Sequence, residues 1–162
     1  MAAKNAPGQQ TKERELVMTR IFDAPRSLVF KAWTEPERIM QWWGPRGFVT
    51  LSCEMDFCPG GLWRTRSKAP DGQEYVSRSV FREIVEPERL VFTYAWEDAA
   101  GKSKHETLVT ITFVEQNGKT VLTFQQGVFA SVTSRDEHEE GWRSAFELLS
   151  EYLPHAEATA KC

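Results

Sequence analysis

Between Phe48 and Gln126 the chain repeats one pattern: a run of alternating apolar and polar residues, then a tight-turn signal. The turn signals are Pro59-Gly60-Gly61, Asp71-Gly72, Glu86-Pro87-Glu88 and Asn117-Gly118. Alternation at a period of two places one set of side chains on each face of a strand. Asp-Gly and Asn-Gly pairs suit two-residue hairpin turns, whose twist matches antiparallel neighbours. Strands are therefore predicted over 48–57, 62–67, 73–85, 90–96, 107–115 and 119–126, with a loop at 99–104. In the first of these, Val49, Leu51, Cys53, Met55 and Phe57 form the expected inner set. This is an antiparallel meander.

Helical signals flank it. Residues 16–23 alternate as one further strand, with Leu16, Met18 and Phe22 on one face. Asp23 is placed to cap a following helix, and Pro25 suits its first turn. Val29, Ala32 and Trp33 then recur at helical spacing. Thr34 and Glu37 form a capping-box pattern for a second short helix through Ile39, Met40 and Trp43, broken at Gly44-Pro45-Arg46-Gly47. Near the C-terminus, Ser134 and Glu137 form another capping box. Trp142, Ala145, Phe146, Leu149, Tyr152 and Leu153 follow as one apolar stripe, which Pro154 is expected to end. The order is strand, two short helices, meander, long helix. That predicts one α+β domain over 15–153, a disordered lead-in at 1–14 and a flexible tail at 154–162.

Charge and cysteine usage exclude several roles. The net charge of -3 gives no overall attraction to nucleic acid or an anionic membrane. No apolar run approaches membrane-spanning length, so no membrane insertion is expected. The first residues carry no apolar signal core, and a cytoplasmic location is expected. Cys53, Cys58 and Cys162 are too few and uneven for a disulfide framework. His105, His138 and His155 lie far apart and no Cys-x-x-Cys pair exists, so neither a zinc site nor a cofactor is expected. His138, between Glu137 and Glu139, reads as solvated surface.

The aromatic residues carry the functional signal. Six tryptophans, ten phenylalanines and three tyrosines fall in the short helices, along the strands and on the last helix. A long twisted sheet curls, and large rings under one helix can wall a cavity or fill a core. Of Trp42 and Trp43, one is expected in the core and the other at a cavity entrance. A ligand would then enter between the 42–47 loop and the last helix. Arg64 and Arg66 share a strand face, as do Arg78 and Arg82; that face reads as solvated. Arg64, beside the glycine turn, is the arginine best placed to clamp a ligand carboxylate if one points inward. Glu54 and Asp56 share a face with Thr50 and Ser52 that reads as solvent-exposed rather than as an acid–base pair.

The local sequences resemble the helix-grip fold of the START/Bet v 1-like (SRPBCC) superfamily, and within it the branch of the activator of heat-shock protein 90 ATPase. The resemblance rests on Arg20-Ile-Phe-Asp-Ala-Pro25 leading into Val29 to Trp33, on Thr34-Glu-Pro-Glu37, and on Trp42-Trp-Gly-Pro45. Pro59-Gly-Gly-Leu-Trp63, Glu83 to Leu90, and Gly141-Trp142 through Phe146 to Leu153 complete it. It covers roughly residues 15–153. It implies a curved antiparallel sheet wrapped around a long C-terminal helix, with a hydrophobic cavity between them. By that geometry the cavity would be lined by Trp43, Phe57, Trp63, Tyr75, Tyr94, Trp96, Trp142 and Phe146, with Trp42 and Arg64 added from the readings above. Relatives transport or sense lipids, bind hormones, cyclise polyketides or bind a chaperone, and fold does not select among these. The expected partner is a small hydrophobic or amphipathic molecule, with Arg64 or Tyr94 orienting it. A chaperone or regulatory protein and a cyclase-like enzyme are the alternatives. No catalytic group emerges from the residues. Exposed sheet edges are compatible with a homodimer.

Overall fold

The computed structural model describes residues 12–160. Seven strands form one antiparallel sheet: β1 (Leu16–Phe22), β2 (Val49–Met55), β3 (Leu62–Lys68), β4 (Glu74–Val85), β5 (Arg89–Trp96), β6 (Thr107–Gln116) and β7 (Lys119–Gly127). Their spatial order is β1-β7-β6-β5-β4-β3-β2. The first and second strands in sequence thus lie at opposite edges. Helices α1 (Arg26–Thr34) and α2 (Pro36–Trp42) carry the chain across the sheet between them. The long helix α3 (Val132–Ala160) covers the inner face. This is the helix-grip α+β architecture.

Cross-strand register separates the faces, because paired residues point the same way. Leu16, Met18, Phe22, Phe81, Leu90, Phe92, Tyr94, Val109, Ile111, Phe113, Leu122 and Phe124 bury against Trp142, Ala145, Phe146, Leu149, Leu153 and Ala156 of α3. Trp33 of α1 stands among Trp42, Trp43, Phe124, Trp142 and Phe146, with ring centroids 4.8 to 6.4 Å away. The inner volume nearest α1 and α2 is therefore filled by rings.

Several local expectations are corrected. The inner set proposed for the first meander strand fails at Leu51. The ladder shifts between Thr50 and Ser52, and the extra residue inverts the alternation. Thr50 pairs with Ser67, Cys53 with Thr65 and Met55 with Trp63 on the inner side, whereas Val49 pairs with Lys68 on the outer side. Phe57 lies beyond the strand and packs on Phe30 and Phe81. The predicted caps also differ. Pro25 and Glu35 occupy the N-cap positions of α1 and α2 with no side-chain cap bond, and Thr34 instead donates to Phe30 O at 3.0 Å. Ser131, not Ser134, caps α3, with its Oγ accepting from Ser134 N at 3.0 Å.

Nor does α3 end at Pro154. The residue four positions before it, Ser150, is exposed, so its carbonyl can turn to water where the proline offers no N–H. Two residues past the proline, Ala156 is fully buried and its carbonyl accepts from Arg38 Nη1 at 3.2 Å. That guanidinium also donates to Tyr152 Oη and Glu35, which ties α2 to the end of α3. Residues 1–11 of the expected lead-in, and Cys162, lie outside the described residues. Residues 12–14 form a turn in which Arg14 exchanges hydrogen bonds with Phe129.

The Pro59-Gly60-Gly61 turn is laced to its neighbours. Gly60 N donates to Phe81 O at 2.7 Å, Phe81 N to Gly61 O at 3.0 Å, and Gly61 N to Cys58 O at 2.8 Å. A Cβ on Gly61 would stand 1.9 Å from Asp56 O. Only glycine lets the chain pass there.

Candidate functional site

The aromatic filling stops short of one end of the sheet. There a cavity of about 780 Å³ opens. Its inner wall is made by Trp43, Phe48, Tyr75, Tyr94, Trp96 and Trp142, and its helix side by Glu137, His138, Gly141 and Ala145. Past the sheet end it continues onto the outer face, where Arg64, Arg66, Val76 and Glu97 line it. The β5–β6 loop, with Asp98, Gly101 and Lys104, forms the rim between the two parts.

The rings of the inner wall are mutually edge-on. Tyr94 lies 5.6 Å from both Trp96 and Trp142, Tyr75 lies 6.1 Å from Trp96, and Trp43 lies 5.3 Å from Trp142. Edge-to-face contacts of this kind are favourable beyond the area they bury. Their polar edges are tied back into the protein. Trp142 Nε1 donates to Gln126 Oε1 at 2.7 Å, Gln126 Nε2 to Thr107 Oγ1 at 3.0 Å, and the Thr107 hydroxyl to Tyr94 O at 3.1 Å. Burial holds the Tyr94 phenol well above its ordinary pKa, with Ser77 as hydrogen-bond partner, so it stays neutral.

His138 is a cavity-lining residue that sequence reasoning missed. Its Nδ1 bonds Ser134 O at 2.7 Å and its Nε2 meets Trp96 Nε1 at 2.9 Å. The indole nitrogen can only donate and the carbonyl can only accept. The ring is therefore the neutral Nδ1–H tautomer. It stacks at 4.8 Å on Phe129, beneath the loop after β7. The sequence offered one signal: His138 precedes Trp142 by one helical turn, on the same side of α3.

Arg64 does not clamp the cavity interior. It shares the outer face with Arg78, and its Nε and Nη2 donate to the two carboxylate oxygens of Glu97 at 2.8 and 2.9 Å. Arg78 Nε stands 3.5 Å from the same carboxylate. The Arg64 hydrogen bond, reinforced by both positive charges, holds Glu97 below the usual carboxylate range although its side chain is only 4% exposed. A carboxylate with a depressed pKa adds stability above its unfolded pKa and loses it as pH falls through the folded value. Glu97→Gln is thus expected to cost about 1–2 kcal/mol at pH 7, discounted because Arg64 is 38% exposed. The difference from the parent protein should shrink progressively as pH falls below the ordinary carboxylate range in denaturant titrations. A gap that persists undiminished at pH 3 would show that the charge is not the cause.

The other expected lining residues divide cleanly. Trp43, Arg64, Tyr75, Tyr94, Trp96 and Trp142 line the cavity. Trp42 is a core residue whose Nε1 donates to Ala32 O at 2.9 Å. Trp63 stacks on Phe81 and donates to Thr65 Oγ1 at 2.8 Å. Phe146 lies in the ring cluster around Trp33, and Phe57 packs behind it on Phe30. The 42–47 loop borders the cavity through Trp43, Gly44 and Pro45. Arg46 N donates to Ser144 Oγ at 2.8 Å, Arg46 pairs with Glu151, and Gly44 sits against Ala145 and Leu148. The loop is fastened to α3, and the rest of the cavity's lining comes from the β3–β4 hairpin, the β5–β6 loop and the first half of α3.

Among the described residues no group of His, Cys, Asp and Glu could hold a metal ion, and no helix is long and apolar enough to cross a membrane. A family model described as activator of Hsp90 ATPase homolog 1-like protein matches residues 23–154. Among solved structures, a protein from Nitrosomonas europaea is 25% identical over 90% of this chain and 97% of its own, with a TM-score of 0.76. The AHSA1 protein from Silicibacter pomeroyi is 24% identical over 86% and 97%, with a TM-score of 0.78. A protein from Arthrobacter aurescens is 24% identical over 90% and 88%, with a TM-score of 0.80. The latter two likenesses bear on the fold alone. No curated protein matches the chain.

Proposed function

Because the chain belongs to the family of activator of Hsp90 ATPase homolog 1-like proteins, we propose that its helix-grip domain binds a small hydrophobic or amphipathic molecule in the cytoplasm. The observation that carries this reading is the 780 Å³ cavity beside a core otherwise filled by rings. Its volume suits a small ligand. Apolar burial would drive binding at about 25 cal/mol per Å², before the costs of association. The hydrogen-bonded backing of Trp142, Tyr94 and Trp96 keeps the wall in place without a ligand, so little ordering remains to oppose binding.

The test is a thermal-shift screen against fatty acids, flavonoids and polyketides, together with native mass spectrometry of the purified protein. A ligand at a hundred times its dissociation constant stabilises by about 2.7 kcal/mol, which raises the melting point of a chain this size by roughly 5–10 °C. Tyr75→Ala, at a residue 37% exposed, should abolish the shift with little loss of stability. If no compound shifts melting and no species copurifies, the reading falls.

The family description favours a second reading, association with the Hsp90 chaperone. It draws support from the outer sheet face, where Ile21, Val121 and Val114 form a row across β1, β7 and β6. Ile21 is 65% and Val114 54% exposed. Stimulation of the chaperone's ATPase, lost in Ile21→Glu, would support it; an unchanged ATPase rate would remove it.

A further inference from the structure

The inner wall of the cavity has a definite electrostatic character. Two of its three indole N–H groups, on Trp96 and Trp142, are spent on His138 and Gln126, and the neutral Tyr94 phenol is bonded to Ser77. What remains toward the cavity is ring surface, and aromatic faces carry negative charge density. The charges around it favour the same sign of ligand. Arg64 is paired with Glu97 and Arg66 with Glu74, both on the outer part. Of the remaining charged lining residues, Asp98 and Glu137 are carboxylates and Lys104 is the single cation. An anionic ligand would meet no unpaired guanidinium on this wall. A cationic one would meet a wall of aromatic rings and Glu137 at the helix edge.

We propose that the inner part of this cavity takes an organic cation, of the class of quaternary or tertiary ammonium compounds bearing an apolar body. The ammonium would lie among Tyr75, Tyr94, Trp96 and Trp142, held by cation–π attraction, with Glu137 supplying the counter-charge from α3. The apolar body would extend along Trp43 and Phe48. This assignment rests on the ligand-binding reading above and names the ligand's charge.

The experiment compares three probes of equal chain length by calorimetry with the full chain, below their micelle concentrations: octyltrimethylammonium, 1-octanol and octanoate. The ammonium probe is expected to bind about tenfold more tightly than the alcohol, and octanoate more weakly still. Trp96→Leu should erase most of that preference. Glu137→Gln, on an exposed helix position, should reduce it severalfold. If alcohol and ammonium bind alike, or octanoate binds best, the cation assignment is overturned while ligand binding stands. If none of the three binds, the ligand-binding reading falls with it.

Discussion

Trp33→Ala is expected to lower the unfolding free energy by about 4 kcal/mol or more, near the upper range for removing a large buried ring. Trp33, on α1, is fully buried and faces five other aromatic rings contributed by α2 and the residue after it, β7 and α3. Through it both short helices, the sheet and the long helix meet. Removing it leaves a void that rigid indoles cannot collapse to fill, so the cavity penalty adds to the lost burial. Trp33→Phe sharpens the expectation. The indole Nε1 has no hydrogen-bond partner among the described residues, so phenylalanine removes a buried, unpaired N–H together with some volume. Its cost should be only about 1–2 kcal/mol, because relief of the unpaired donor offsets part of the lost packing. Urea titrations of the three proteins would check this ordering. A Trp33→Ala cost under about 1 kcal/mol would mean that the elements do not depend on that contact.

Gly61→Ala should be of similar size for a different reason. The methyl group would overlap a backbone carbonyl, Asp56 O at 1.9 Å, with Cys58 O at 2.9 Å behind it. A flexible side chain could yield, but these carbonyls cannot move alone. Asp56 N is bonded to Leu62 O, and Cys58 O accepts from Gly61 N itself. Relief requires the turn to open and the Gly61–Phe81 bond to break, which would loosen β3 from β4 beside the Trp63–Phe81 stack. A loss of about 3 kcal/mol or more is expected, above the usual range for overpacking. Gly60→Ala serves as the comparison. Nothing lies near its Cβ, and its φ of +85° is the sole obstacle, so a loss of about 1–2 kcal/mol is expected. Equal losses at the two positions would show that conformation, not contact, governs the turn.

The features legible in the sequence were those written in short-range pattern. The Asn117-Gly118 and Asp71-Gly72 turns and the alternation around them reveal the hairpins, because turn chemistry and side-chain period are local. The stripe from Trp142 to Leu153 reveals α3 for the same reason. What could not be read depends on partners distant in sequence. The bulge at Leu51 is defined by the strand opposite. The capping patterns at Thr34 and Ser134 were plausible alone and lost to neighbouring residues. Arg64 is engaged on the outer face because Glu97, thirty-three positions later, accepts from its Nε and Nη2. His138 joined the cavity only because Trp96 arrives from another strand. Pro154 was overruled by Arg38, which fixes the helix beyond it.

The edge positions of β1 and β2 also bear on how the molecule comes into being. β1 has no neighbour but β7, so Leu16 must wait for Gln126, more than a hundred residues later, before it can pair. A chain emerging from the ribosome would complete the β2 to β6 meander while its first strand still lacked a mate. That meander would meanwhile have neither its β7 edge nor its covering helix. Such long-range closure is the slow and exposed step of folding. β1 would be the last strand to find its mate, and the inner face of the whole sheet would stay open to water, chaperones and aggregation until α3 docks.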